Sequence, residues 1–336
     1  MSRKMVVSKL AFLKEVTFFM KKDAIHPAVP YLIVPVGIVA VSTASLLIRF
    51  SQEYVPSIAI AAFRMGLAAL ILLPYTLIKH NREIKSLTWD VLKFTLLAGF
   101  LLAVHFASWI TSLEYTSVAS SVVLVTTTPL WVALLAPFFL GEKTPRIAFI
   151  GMTIALLGGI IIALSDVCVW LPGGINCQAD FGNLGSKTLL GDFLALFGAV
   201  VAASYLMIGK HLRNKISLVP YIFLVFSASA IFLVAGMLIS EGVPPLYPGK
   251  VYLWLLLLAL VPQLLGHSIF NWSLKYLPTG YVAVNLLGEP VGSTILAYFF
   301  LNETPPAVKI IGAILILAGI GLGTFRQTSQ KNEEIS

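Results

Sequence analysis

Apolar residues fill most of the chain in blocks of about twenty, and polar residues collect in short gaps between the blocks. A helix rises about 1.5 Å per residue, so about 20 apolar residues are needed to cross the hydrocarbon of a bilayer. Ten blocks meet that length: residues 31–50, 57–79, 91–112, 118–139, 146–165, 189–209, 219–240, 251–274, 280–301 and 307–325. The gaps leave no room for a separate soluble domain. A transmembrane barrel would alternate apolar and polar residues in segments of about ten, and the blocks do not alternate. The pattern predicts an all-α integral membrane protein with ten transmembrane helices.

Composition agrees. Of the 336 residues, 58% are hydrophobic and 11% charged, where a soluble domain carries about 25% charged residues. The net charge of +8 points to uneven loops around a membrane more than to a nucleic-acid partner. Placing the N-terminus inside leaves only Arg49, Lys187, Lys250 and Lys309 at outside ends. Apart from Arg64, the remaining Lys and Arg residues then fall inside, as the positive-inside rule requires. Both termini are expected to be cytoplasmic, in the plasma (cell inner) membrane. Residues 1–25 scatter Lys and Arg among apolar residues and lack the layout of a secretory signal. They read as a cytoplasmic tail, with a short surface-lying helix as one form it can take.

The chain also repeats itself. A shift of 161 residues lays "PLWVALLAPFFLGEKTP" (129–145) on "PVGSTILAYFFLNETPP" (290–306), with eight of 17 positions identical. The same shift pairs Arg49 with Lys210, Gly151 with Gly312 and Gly158 with Gly319. Each copy holds five spans, an odd number, so the second must enter the membrane from the opposite side. Such inverted repeats build many secondary transporters. The expected organisation is a tail (1–30), repeat 1 (31–165), an extracytoplasmic link (166–188), repeat 2 (189–325) and a cytoplasmic C-terminal tail (326–336).

The endings "FFLGEKTP" and "EPVGSTILAYFFLNETPP" are followed by "GMTIALLGGIIIAL" and "IGAILILAGIGLG". Together with "AAFRMGLAALILLP" (61–74) and "GDFLALFGAVVAASY" (191–205), they resemble the EamA group of the drug/metabolite transporter superfamily. The resemblance covers about residues 31–325. It implies ten helices in two inverted five-helix repeats around a central cavity, and transport of an amino acid, another small metabolite or a drug without ATP. It assigns no substrate. The longer link and the basic tail depart from the family pattern.

Polar residues inside the spans are the candidate site, because charge there is costly and faces a cavity or a partner. Arg64 has three open readings: snorkelling to headgroups, a structural tie to a neighbouring helix, or a cavity cation for an anionic group such as a substrate carboxylate. Pro129 and Pro290 interrupt the fourth and ninth spans near the bilayer centre and are expected to leave the Val125 and Leu286 carbonyls unpaired. Paired interruptions in the two halves point to a transporter site, which nominates Thr128, Asn285 and Glu289. The threonine run has its own alternative, hydrogen bonding within the helix. Glu289 has two: structural pairing with Arg64 or a backbone group, or binding of a proton or a substrate amine. His105 and His267 are packing residues or proton-linked groups. Trp109 and Asn271 are cavity candidates, with interfacial anchoring the other reading of the aromatics. Asp192 reads as a cap in the first turn of the sixth span.

There is no HExxH, no Walker phosphate loop and no GxSxG, and the histidines and cysteines have no zinc spacing. Neither a cofactor nor a metal is expected. Cys168 and Cys177, both in the link, read as a disulfide or as two thiols. The partners expected are a small-molecule substrate, with a coupling proton left open, and the bilayer. A membrane-embedded enzyme using Glu289 and a histidine, and a passive channel, stand as the alternatives to a secondary transporter.

Overall fold

The structure is a computed structural model and describes residues 29–139, 146–171, 174–177, 184–277, 279, 282, 285–286 and 288–333. The basic tail up to residue 28, the "LGEKTP" turn, part of the link and the start of the ninth span lie outside the described residues.

The first crossing is two helices, α1 (Val29–Ser42) and α2 (Ala44–Gln52). They meet at Thr43, whose hydroxyl donates to the Ala40 carbonyl. The chain continues through α3 (Ser57–Lys79), the short α4 (Asn81–Lys85) and α5 (Trp89–Tyr115). The fourth crossing is again split, into α6 (Val118–Val125) and α7 (Thr128–Phe139), and α8 (Arg146–Val167) closes the first half. The second half holds α9 (Leu184–Leu212) and α10 (Leu218–Ser240). Its next apolar stretch joins α11 (Gly249–Leu258), a π-helical stretch (Ala259–His267) and α12 (Ser268–Ser273). Last come α13 (Gly288–Leu301) and α14 (Ala307–Glu333).

Among the described residues, seven helical stretches are long and apolar enough to cross a membrane, and Thr153–Ile162 and Ala307–Gly319 are shorter apolar helices. Large apolar side chains stand on the outer surface, Ile78, Phe138 and Ile239 among them. The helix α10 is apolar on every face, as expected of a span that packs on one side and meets lipid on the other. The chain is a multi-pass membrane protein.

The link adds an element that the hydropathy pattern does not show. Strands β1 (Cys168–Leu171) and β2 (Gly174–Cys177) pair antiparallel, with Cys168 opposite Cys177. Val169, Trp170 and Ile175 favour extended backbone. Asp192 also differs from expectation. The helix α9 starts at Leu184, so Asp192 lies about two turns inside it and is buried rather than capping the first turn.

Packing shows the repeat directly. Helices α8 and α14 cross through two glycine contacts. A Cβ on Gly158 would fall 2.6 Å from the Gly312 carbonyl oxygen, and one on Gly319 would fall 2.5 Å from that of Gly151. Both glycines are required by this close approach. Each contact is the other shifted by 161 residues, and contact order runs upward along one helix and downward along the other. Equivalent helices of the two halves are therefore antiparallel. The same relation joins Arg49, whose guanidinium donates to the Thr116 carbonyl at 3.1 Å, to Lys210, whose ammonium donates to that of Leu277 at 3.1 Å.

Polar ties group the loops at two opposite ends. At one end Glu303 pairs with Arg49 at 3.4 Å and accepts from the Val118 amide, while Glu241 accepts from the Ile58 and Ala59 amides at the start of α3. These carboxylates satisfy amides that a helix N-terminus leaves without internal partners. At the other end Glu83 accepts from the amide and hydroxyl of Ser217, which joins the α4 turn to the start of α10.

Candidate functional site

The two broken crossings and the π-helical stretch bring polar side chains into the bundle centre. In the fourth crossing the helix stops at Val125 and restarts at Thr128. The carbonyl that Pro129 cannot use does not stay unpaired: the Thr128 hydroxyl donates to Val125 at 2.9 Å. Thr126 and Thr127 likewise donate to carbonyls one turn back. Just before α13 the Leu286 carbonyl accepts from the Glu289 amide at 2.9 Å. The sequence expectation of two orphan carbonyls fails because a hydroxyl and an i+3 amide lie within reach of them. Pro262 does the corresponding work between α11 and α12. It has no N–H to donate, so the α-helical ladder is interrupted there and the turn widens into a π-helix, a form frequent at functional sites.

A cavity of about 60 Å³ opens at these breaks. Its lining comes in repeat-equivalent pairs: Thr128 with Glu289, Trp109 with Phe270, and Val125 with Leu286. His267 lines it as well, and its equivalent Phe106 packs edge-on against it with ring centroids 5.4 Å apart. The cavity therefore lies on the axis that relates the two halves. Around the remainder His105 donates from Nδ1 to the Gly198 carbonyl at 3.0 Å and stacks on Trp109. Asn271 accepts from the Tyr205 hydroxyl at 2.7 Å and donates to the His267 carbonyl.

Arg64 is 0% exposed. Its guanidinium lies 4.1 Å over the Phe106 ring and 5.9 Å from that of Trp109, and its Nε donates to Gln263 Oε1 at 2.8 Å. That geometry excludes snorkelling, because the charged head points into the bundle. Glu289 is buried and within electrostatic reach of Arg64. The ion pairs among the described residues are Arg49–Glu303, His80–Glu83 and Lys93–Asp90, so Glu289 and Arg64 do not touch.

Of the sequence candidates, His105, Trp109, Thr128, His267, Asn271 and Glu289 line the cavity. Arg64 stands behind its wall, against Phe106 and Trp109. Asn285 is half-buried and outside the lining. Trp109 is 3% exposed and so is no interfacial anchor. Sequence reasoning missed Gln263, Tyr205 and Phe106. A usable signal existed for Gln263: it follows an in-span proline, and its repeat equivalent is Leu102. A polar residue where the other copy is apolar marks the place where the two halves stopped being interchangeable. Among the described residues, no three His, Cys, Asp or Glu side chains gather as a metal site.

A helical bundle of two related, oppositely directed halves, with a polar cavity on their shared axis, defines a multi-pass membrane protein of the transporter type. The chain belongs to the EamA-like transporter family, whose model matches residues 29–164 and again residues 189–325. Among relatives, an uncharacterized transporter of Archaeoglobus fulgidus is 26% identical over 270 residues, covering 80% of this chain and 88% of its own. The pseudopaline exporter CntI of Pseudomonas aeruginosa is 23% identical over 277 residues, covering 82% and 89%. A solved crystal structure shares the fold, with a TM-score of 0.61 over 90% of this chain and 98% of its own, at 18% identity. Family membership makes this a protein of membrane transport, with the bilayer and a small molecule as its partners.

Proposed function

We propose that the protein is a secondary transporter that moves a small organic solute by alternating access around the central cavity. The observation that carries this reading is the position of the cavity: on the axis between the halves, at the breaks in equivalent helices, and lined by repeat-equivalent residues. Two halves that exchange conformations about that axis would open the cavity to either side in turn. In this reading the chain crosses the membrane ten times, with repeats at 31–165 and 189–325 and the link outside. Both termini are cytoplasmic, in the cell membrane. The cavity residues His105, Trp109, Thr128, His267, Asn271 and Glu289 contact the solute, with Arg64 behind them and Asn285 beyond the lining. That one relative is named an exporter of pseudopaline supports a small organic solute here.

Reconstitution into proteoliposomes tests the proposal. Uptake from a panel of labelled metabolites, with and without a pH gradient, is expected to be saturable for at least one solute and to show counterflow. Linear, non-saturating flux would indicate a channel, and chemical conversion of the solute an enzyme.

A further inference from the structure

Four buried nitrogens beside the cavity carry N–H groups that meet no acceptor among the described residues: Nη1 and Nη2 of Arg64, Nε2 of Gln263 and Nε1 of Trp109. All four atoms are donors only. Their residues are 0%, 0% and 3% exposed. They form one cluster, because Arg64 Nε is bonded to Gln263 and the guanidinium carbon lies 5.9 Å from the Trp109 ring. The chemistry also fixes the Gln263 amide. A guanidinium only donates, so Gln263 must turn its oxygen to Arg64, which leaves its NH₂ as a further donor.

Buried polar atoms normally find partners. A buried cluster made of donors alone, set behind the cavity wall that Trp109 forms, fits a ligand made of acceptors. The two Nη atoms of an arginine match the two oxygens of a carboxylate in parallel hydrogen bonds. Of the three residues Trp109 lines the cavity of about 60 Å³, Arg64 lies behind it and Gln263 is bonded to Arg64. Glu289 does not fill this role, since it makes no ion pair with Arg64. It lines the cavity as an acceptor for another part of the same solute.

We infer that Arg64, Gln263 and Trp109 form a carboxylate-binding subsite, so that the transported solute is a carboxylic acid held by its carboxylate. This rests on the reading of the cavity as the transport site and names the substrate class for it.

The test is binding to the purified full-length protein in detergent, followed by thermal stability and tryptophan fluorescence. The probes are matched pairs differing only at the acid: benzoate and benzamide, glutarate and glutaramide, L-leucine and L-leucinamide. In at least one pair the acid is expected to bind about tenfold or more tightly than its amide. Gln263→Leu and Trp109→Phe should each shrink that ratio, Arg64→Gln should abolish it, and Arg64→Lys should keep part of it. Equal affinity of acid and amide, binding of no acid, or an acid preference unchanged in Arg64→Gln and Gln263→Leu would each overturn the subsite. Failure of the transport reading is separable, since an acid preference with no saturable flux in proteoliposomes removes the transporter and leaves the subsite.

Discussion

Thr128 and Glu289 occupy equivalent positions in the two halves, and both line the cavity. The hydroxyl of Thr128 is committed to the Val125 carbonyl of its own break, whereas the Glu289 carboxylate has no ion-pair partner among the described residues. Under the proposed alternating access, a buried carboxylate in this cavity would be reached from each side in turn and would be placed to carry a proton. Glu289→Gln keeps the shape and cannot release a proton. If transport is proton-driven, this variant is expected to lose pH-driven uphill uptake by at least about tenfold while retaining solute exchange, which moves no net proton. Counterflow beside gradient-driven uptake in the same vesicles separates the outcomes. Unchanged uphill uptake removes Glu289 from coupling, and loss of exchange as well makes it a direct solute contact.

Helices meet closely where glycine removes the side chain. A Cβ at Gly158 or Gly319 would sit on a carbonyl oxygen of the facing helix, so Gly158→Val and Gly319→Val must push α8 and α14 apart. Overpacking of this kind costs about 1–3 kcal/mol, and the two-fold relation predicts equal losses. Thermal unfolding in detergent should show matching drops in Tm. Clearly unequal drops would mean that the two contacts are not equivalent in strength. The α4 turn gives a pH-dependent case. Burial alone would raise the pKa of Glu83, but hydrogen bonds from the hydroxyl and amide of Ser217, and His80 beside it, outweigh this and hold it below its ordinary value of 4.5. A carboxyl with a lowered folded-state pKa stabilises the fold above its unfolded value and loses that contribution as pH falls through the folded value. The Tm advantage of wild type over Glu83→Gln is therefore expected to be full near pH 7 and to fade as pH falls below the ordinary carboxyl value toward the lower folded-state value. A constant difference across that range would show that the link acts by shape and not by charge.

Over the whole molecule, the ties at Arg49–Glu303, Glu241–Ile58 and Lys250–Tyr54 mark one end of the bundle, and those at Glu83–Ser217 and Lys210–Leu277 mark the other. The Lys-rich turns lie at the second end, so the proposed orientation, which follows the positive-inside rule, puts that end on the cytoplasmic side. With Cys168 and Cys177 replaced by serine, single cysteines at Lys85 and Lys275 should react with a membrane-impermeant thiol reagent only from the cytoplasmic side. Cysteines at Glu53 and Val243 should react only from outside. Labelling of Lys85 and Glu53 from the same side would overturn the proposed orientation.

The seven long apolar stretches were legible in the sequence because membrane insertion is a one-dimensional condition: about 20 apolar residues must follow one another whatever they later touch. Thus 57–79 coincides with Ser57–Lys79. The repeat was legible because the copies still share "FFL", a glutamate two residues after it and paired glycines at a fixed shift, and the prolines announced where helices break. What the sequence left open depended on contacts between distant residues. Arg64 had three readings until Gln263, 199 residues away, was found on its Nε and Phe106 beneath its plane. Asp192 became buried because α9 starts earlier than hydropathy suggests. The Val125 carbonyl was satisfied by a hydroxyl three residues on. Hydrophobicity sums along the chain, so sequence order determines which segments lie in the membrane. Hydrogen bonds need two groups within about 3 Å at the right angle, so only the tertiary structure decided which polar residues share the cavity and which N–H groups stand beside it without an acceptor.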